Sequence, residues 1–365
     1  LHSATMVKAG VYLIFRLNPV FSEAALWQPV LVVFGTVTML VGAVIAYRAD
    51  DLKRILAYTT ISALGIFVMA IGMGTEEAAK GAIVYLAAHA LYKGALFLIT
   101  GILDHECGTR KITELSKIQK NMPWTATATA AACLPMAGML PFLGFTGKEL
   151  LYEAGKHHDQ FFHLPLIALV FSSVIFVAIA IKIFTGAFVN NKRGNASAPV
   201  KEASAFMYLP PLLMGMLGLL FGIFPNVFIQ PLLQVSLAEI VTITKVLDMG
   251  LWHGFNLVFI LSLLTLLLGV LVYVFRDEAR KLYDKLKNPI EKVPEMVYEN
   301  GIVKMMDFAS FQTRVIQNGY LRSYISVYTV LLCFLIIWYF IDSKLLDYTF
   351  IDYSWHDFFT YELII

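Results

Sequence analysis

A chain of 365 residues that is 58% hydrophobic and 15% charged falls far from soluble domains, which carry about 25% charged residues. With 28 Lys and Arg against 26 Asp and Glu, its net charge of +2 gives no electrostatic footing for nucleic acid. The mean hydropathy of +0.71 and three scattered cysteines without a CxxC point to a multi-spanning membrane protein. Nothing in that pattern calls for a disulfide framework, a metal or another cofactor.

A bilayer core about 30 Å thick asks for about 20 mainly apolar helical residues. The first such run, 1–17, opens on Leu1 and lacks the basic region and cleavage site of a secretory signal. Runs at 27–47, 53–73 and 81–103 follow. The fifth, 123–156, contains LPMAGMLPFLGFTGKE (134–149), whose two prolines and three glycines predict a broken helix. Further runs lie at 162–189, 206–224, 252–275 and 322–341. No strand-like alternation competes. The expected fold class is all-α, a polytopic transmembrane helix bundle of about nine spans, one of them broken.

Between these runs, 225–250 reads as a connecting, re-entrant or surface helix. The polar stretch 276–320 reads as a cytoplasmic amphipathic linker, lying on the membrane or docking on a partner. The last visible residues, to Ile365, stop inside an apolar run, so both ends read as interior to a longer chain.

Loop charge tests the span count. Nineteen of the 28 basic residues fall in alternate loops, among them Arg48, Lys53, Arg110, Lys192 and the nine from Arg276 to Arg322. That side is expected to be cytoplasmic. His253 beside Trp252 reads as an interface anchor, and the 13% aromatic content reads as membrane belts and packing.

The informative charges are those inside the spans: His2, Lys8, His89, Lys93, Lys148, Glu149 and Lys182. Each costs about 2.5–3.5 kcal/mol at the bilayer centre on insertion scales, so such residues usually face water or a partner. Together they imply a hydrated polar axis. His89 and Lys93, at i and i+4, share one helix face among small residues. The alternative is a structural histidine bonded between helices, with Lys93 holding a carbonyl. His2 and Lys8 are six positions apart and point about 120° away from each other on an ideal helix. Lys148 and Glu149 follow the break directly, the place where transporters build ion sites; otherwise they are loop residues beyond a span ending at Phe145. Lys182 is either an accessory group or a lysine snorkelling to the interface.

The segments LHSATMVKAG (1–10), DLKRILAY (51–58), HALYKGALF (89–97) and GFTGKE (144–149) resemble the proton-translocating antiporter-like family. That family includes the large (A) subunit of Mrp-type multisubunit Na+/H+ antiporters and the antiporter-like membrane-arm subunits of respiratory complex I. The resemblance implies the second half of an inverted-repeat fold plus extra C-terminal spans, in a hetero-oligomeric complex of the cell membrane. The expected division is 1–224 antiporter-like domain, 225–250 connecting helix, 251–275 additional span, 276–320 linker, and 321–365 further span and tail. It also implies that His2, His89, Lys93 and Lys148 belong to a hydrated proton path, which Lys8 joins by its depth. The family's earlier glutamate–lysine pair precedes the first residue here.

The resulting expectation is a subunit of a monovalent cation (Na+)/proton antiporter, a transporter and not an enzyme. The alternative is a proton-pumping subunit of complex I or a membrane-bound hydrogenase, with the redox chemistry in its partners. The physical logic is general: burial disfavours a lysine's charged form, and a histidine exchanges protons near neutral pH.

Overall fold

The structure is a computed structural model that describes residues 6–115, 117–156, 163–189, 200–238, 254, 256–276, 278, 298–316 and 320–342. His2, Trp252 and His253, most of the linker and the acidic tail lie outside the described residues. The chain divides into two units, Leu1–Ala279 and Arg280–Ile365.

In the first unit, α1 (Lys8–Phe21) and α2 (Trp27–Arg48) lead into α3 (Leu52–Met73) and the 32-residue α4 (Glu76–Cys107). Side chains that satisfy the first free amides start the last two helices. The Asp51 carboxylate accepts from Arg54 N at 3.0 Å, and the Thr75 hydroxyl accepts from Ala78 N at 3.1 Å. The fifth predicted span is broken, into α5 (Pro123–Met136) and α6 (Leu143–Lys156). There follow α7 (His163–Phe184), α8 (Ala205–Ile223), the short α9 (Pro225–Phe228) and α10 (Gln230–Ala238), and α11 (Leu257–Val274). The second unit holds α12 (Lys304–Ile316) and α13 (Leu321–Asp342).

Among the described residues, seven helices are long and apolar enough to cross a membrane alone: α2, α3, α4, α7 with the turn after it, α8, α11 and α13. The other two predicted spans are the 14-residue α1 and the pair α5 and α6, also 14 residues each. The polytopic all-helical bundle with one broken span is therefore observed. Its enclosure is uneven. In α3, 72% of the apolar stretch is buried inside the chain, whereas in α11 22% is.

Small residues let α2 and α3 approach backbone to backbone, the usual solution in lipid, where apolar side chains gain little by leaving the solvent. A Cβ on Gly65 would sit 2.6 Å from the Gly35 carbonyl oxygen, and one on Gly42 would sit 2.7 Å from the Ser62 amide. The Ser62 hydroxyl closes the seam by donating to the Met39 carbonyl at 2.7 Å. Gly65→Ala should therefore cost about 1–3 kcal/mol by overpacking. The amount of intact complex recovered from membranes in mild detergent should fall severalfold; unchanged recovery would refute the close-packed seam.

The same device joins α4 to α6, where a Cβ on Gly147 would lie 2.8 Å from the Tyr85 backbone. This contact sets α6 beside the first half of α4.

Candidate functional site

Helix α4 carries one polar stripe. Tyr85, His89, Tyr92 and Lys93 stand at i, i+4, i+7 and i+8, within an arc of about 100°, and all four are buried. The Lys93 ammonium crosses to α3, donating to the Leu56 carbonyl at 3.1 Å and to the Thr59 hydroxyl. The same carbonyl accepts from the Thr60 hydroxyl at 2.8 Å, while the one Thr59 hydroxyl proton is shared between the Ile55 and Leu56 carbonyls, at 2.8 and 3.1 Å. Helix α5 faces Lys93 with the buried Cys133.

His89 is fully buried, edge-on to the rings of Phe67 and Tyr92 at 5.9 and 5.3 Å. Neither ring nitrogen has a hydrogen-bond partner among the described residues, and neither does Nζ of the buried Lys8. Lys8 and Lys93 both act electrostatically on His89. Buried polar groups left in this condition are strongly unfavourable unless water reaches them or they shed their charge. Lys8, on α1, thus lies within electrostatic reach of His89 on α4, although the two are far apart in sequence.

Lys148 lies in the second turn of α6, just past the break. Its ammonium donates to the Gly138 carbonyl at 3.2 Å and to the Thr265 hydroxyl at 3.4 Å, with the rings of Phe145 and Tyr152 at 5.9 and 5.8 Å. It is 5% exposed, so it is no loop residue. Gly138 ends the first half-helix in the left-handed region (φ +66°). A Cβ there would fall 2.8 Å from Lys148 Nζ. The break therefore supplies both the carbonyl and the space the lysine occupies. Glu149, half-buried, is its nearest opposite charge. A small cavity, with room for about one water, is lined by Tyr85, Gly138, Lys148 and Ser173 among apolar neighbours.

Lys182 is placed elsewhere. It pairs with Asp50 at 3.1 Å and donates to the carbonyls of Tyr47 and Ala49 at 2.9 and 2.7 Å, pinning the α2–α3 link to α7. Beside it, a short bridge joins Asp51 and Lys111, and Arg110 Nε donates to Asp51 Oδ2 at 2.6 Å. Burial alone would push the Asp51 carboxyl up, but the Arg110 bond and backbone amides outweigh it and hold the carboxyl below its ordinary 3.8. A depressed carboxylate stabilises the fold above its unfolded pKa and loses that contribution as pH falls through the folded value. The thermal-stability gap between the wild type and Asp51→Asn should therefore be full at neutral pH. It should close as pH drops below 3.8; a gap that widens on acidification would contradict this.

Reasoning from sequence singled out His89, Lys93, Lys148 and Lys8 but passed over Tyr85 and Tyr92. Their signal was present: both share the His89 stripe at helical spacing.

Residues 1–176 match the family of membrane segments described as NADH:quinone oxidoreductase/Mrp antiporter, TM. The match covers just under half of the chain. The chain is 32% identical to the (A) subunit of the Na(+)/H(+) antiporter of Alkalihalophilus pseudofirmus, over 92% of its own length and 45% of the relative's. It is 30% identical to the corresponding antiporter chain of Bacillus subtilis, over 89% of this chain and 44% of that one. It thus spans somewhat less than half of these relatives. Among solved structures, the Mrp complex from Dietzia sp. superposes with a TM-score of 0.75 at 29% identity, covering 92% of this chain and 36% of that one. Respiratory complex I from Thermus thermophilus gives 0.57 at 28% identity, covering 65% of this chain and 50% of that one. The chain is accordingly a multi-pass protein of the plasma membrane.

Proposed function

We propose that this chain is the proton-handling part of a large subunit in a multisubunit Na+/H+ antiporter. It moves protons along a hydrated path of lysines and histidine, coupled to export of a monovalent cation. The observation that carries this reading is the burial of Lys8, His89 and Lys93, with both lysines within electrostatic reach of His89, and of Lys148 on the half-helix that follows the break and packs on α4. A bundle that only needed to pack would not retain four such groups.

In this reading His89 connects Lys93 to Lys8 and, through His2, to one membrane face, while Lys148 and Glu149 serve the other. Residues 1–224 form the antiporter-like domain, 225–250 and 251–275 connect and add a span, and 276–320 and 321–365 meet lipid and partner subunits. Lys182 acts as a tether for the α2–α3 link. The chain is a transporter subunit, with catalysis of covalent chemistry assigned to none of its residues.

The likeness to a complex I chain favours a second reading, a proton-pumping subunit driven by redox partners. Vesicles containing the whole complex decide between them. Antiport predicts that added Na+ collapses an imposed pH gradient with no electron donor present, and that the purified complex lacks flavin and iron–sulfur absorbance. Proton movement that requires an electron donor and ignores Na+ would establish the second reading.

A further inference from the structure

Two groups of buried cations have been described, one around His89 and Lys93, the other around Lys148, with no direct hydrogen bond between them among the described residues. Two tyrosines lie between. The Tyr92 hydroxyl donates to the Tyr85 hydroxyl at 3.3 Å, and the pair is buried, at 1% and 5% exposure. Tyr92 stands against the His89 ring, and Tyr85 lines the small cavity that Lys148 also lines. The close approach of Gly147 to the Tyr85 backbone holds that residue against the broken helix. The geometry points to Tyr85 and Tyr92 as the hydroxyl bridge that carries protons between the His89–Lys93 group and Lys148. This inference rests on the proton-path reading above and deepens it.

A phenol suits the task because one oxygen both donates and accepts. In the transfer step, Tyr92 passes its hydroxyl proton to the Tyr85 oxygen and takes up another from the His89 side. Tyr85 releases its own proton through a cavity water to the neutral amine of Lys148, which becomes an ammonium. Each tyrosine oxygen gains one proton and loses one, so neither ring ends charged. Running the sequence backwards returns the proton. Tyr152, across the cavity wall near Ser173 and Thr265, is a neighbour of this route and not a member of it.

The test is Tyr85→Phe and Tyr92→Phe, singly and together, in the complete complex in vesicles. Each change removes one oxygen and keeps the ring. The maximal exchange rate should fall about tenfold, the equivalent of about 1.4 kcal/mol on the barrier, with the Na+ concentration for half-maximal rate unchanged. The double variant should be no slower than the slower single one, since the steps are in series. The solvent deuterium effect on the rate should change in both single variants. Wild-type maximal rates in the assembled double variant would overturn the bridge. So would failure of both single variants to assemble, which would assign the pair a packing role. Lys93→Arg, run in parallel, separates the two levels. If it is inactive while the phenylalanine variants are normal, the bridge fails and the proton-path reading stands; if all are normal, Lys93 leaves the path as well and the proton-path reading fails with the bridge.

Discussion

Lys93→Met in the complete complex should abolish Na+-driven proton exchange in vesicles, a loss of about a hundredfold or more, the scale of removing a positioned proton-transfer group. The complex should still assemble. Methionine fills nearly the same volume without the charge, and the Leu56 carbonyl keeps its bond from Thr60. Lys93→Arg separates a proton carrier from a structural cation. The guanidinium keeps the charge and can still donate to the carbonyl, but it does not release a proton. A structural role predicts recovery in the arginine variant. A carrier role predicts that both variants are inactive while equally well assembled. Exchange at the wild-type rate in either one would remove Lys93 from the path.

Gly138→Ala should lower exchange at least tenfold, for reasons that can be divided. One part is backbone strain, since an L side chain at φ +66° costs about 1–2 kcal/mol. The other is displacement of Lys148, whose Nζ, Cε and Cδ lie 2.8–3.0 Å from the new Cβ. Gly108→Ala is the control. Gly108 has φ +68° and nothing within 4 Å of its Cβ position, so it carries similar strain and displaces no group. The expected result is near-normal exchange in Gly108→Ala and a large loss in Gly138→Ala, measured as pH-gradient collapse at equal amounts of assembled complex. Equal effects in the two variants would show that the position of Lys148 is unimportant.

The spans were legible because apolar runs of sufficient length have few alternatives in a chain this poor in charge. The break was legible too, because Pro135, Gly138, Pro141 and Gly144 cannot all continue one helix. Which carbonyl the break would offer to Lys148 was not, since that depends on the path of 137–142 between the half-helices. The i, i+4 spacing found His89 and Lys93, yet the meeting of Lys8 with His89 needed the packing of α1. Lys182 shows the limit from the other side. Its depth along a helix could be counted, but the approach of the α2–α3 link, which brings Asp50 and two carbonyls to it, could not. Tyr85 and Tyr92 were hidden by their chemistry, because tyrosine in a membrane protein is read first as packing or belt.

The crowded acceptor at Leu56 has a consequence for motion. A lysine that leaves a buried carbonyl bare must offset that group's lost hydrogen bond before it can move. Here the Thr60 hydroxyl stays behind on the same oxygen, so the departure of the ammonium leaves the carbonyl bonded. A lysine that shuttles, as proposed for Lys93, needs a berth of that kind, and a group fixed for stability would gain nothing from it.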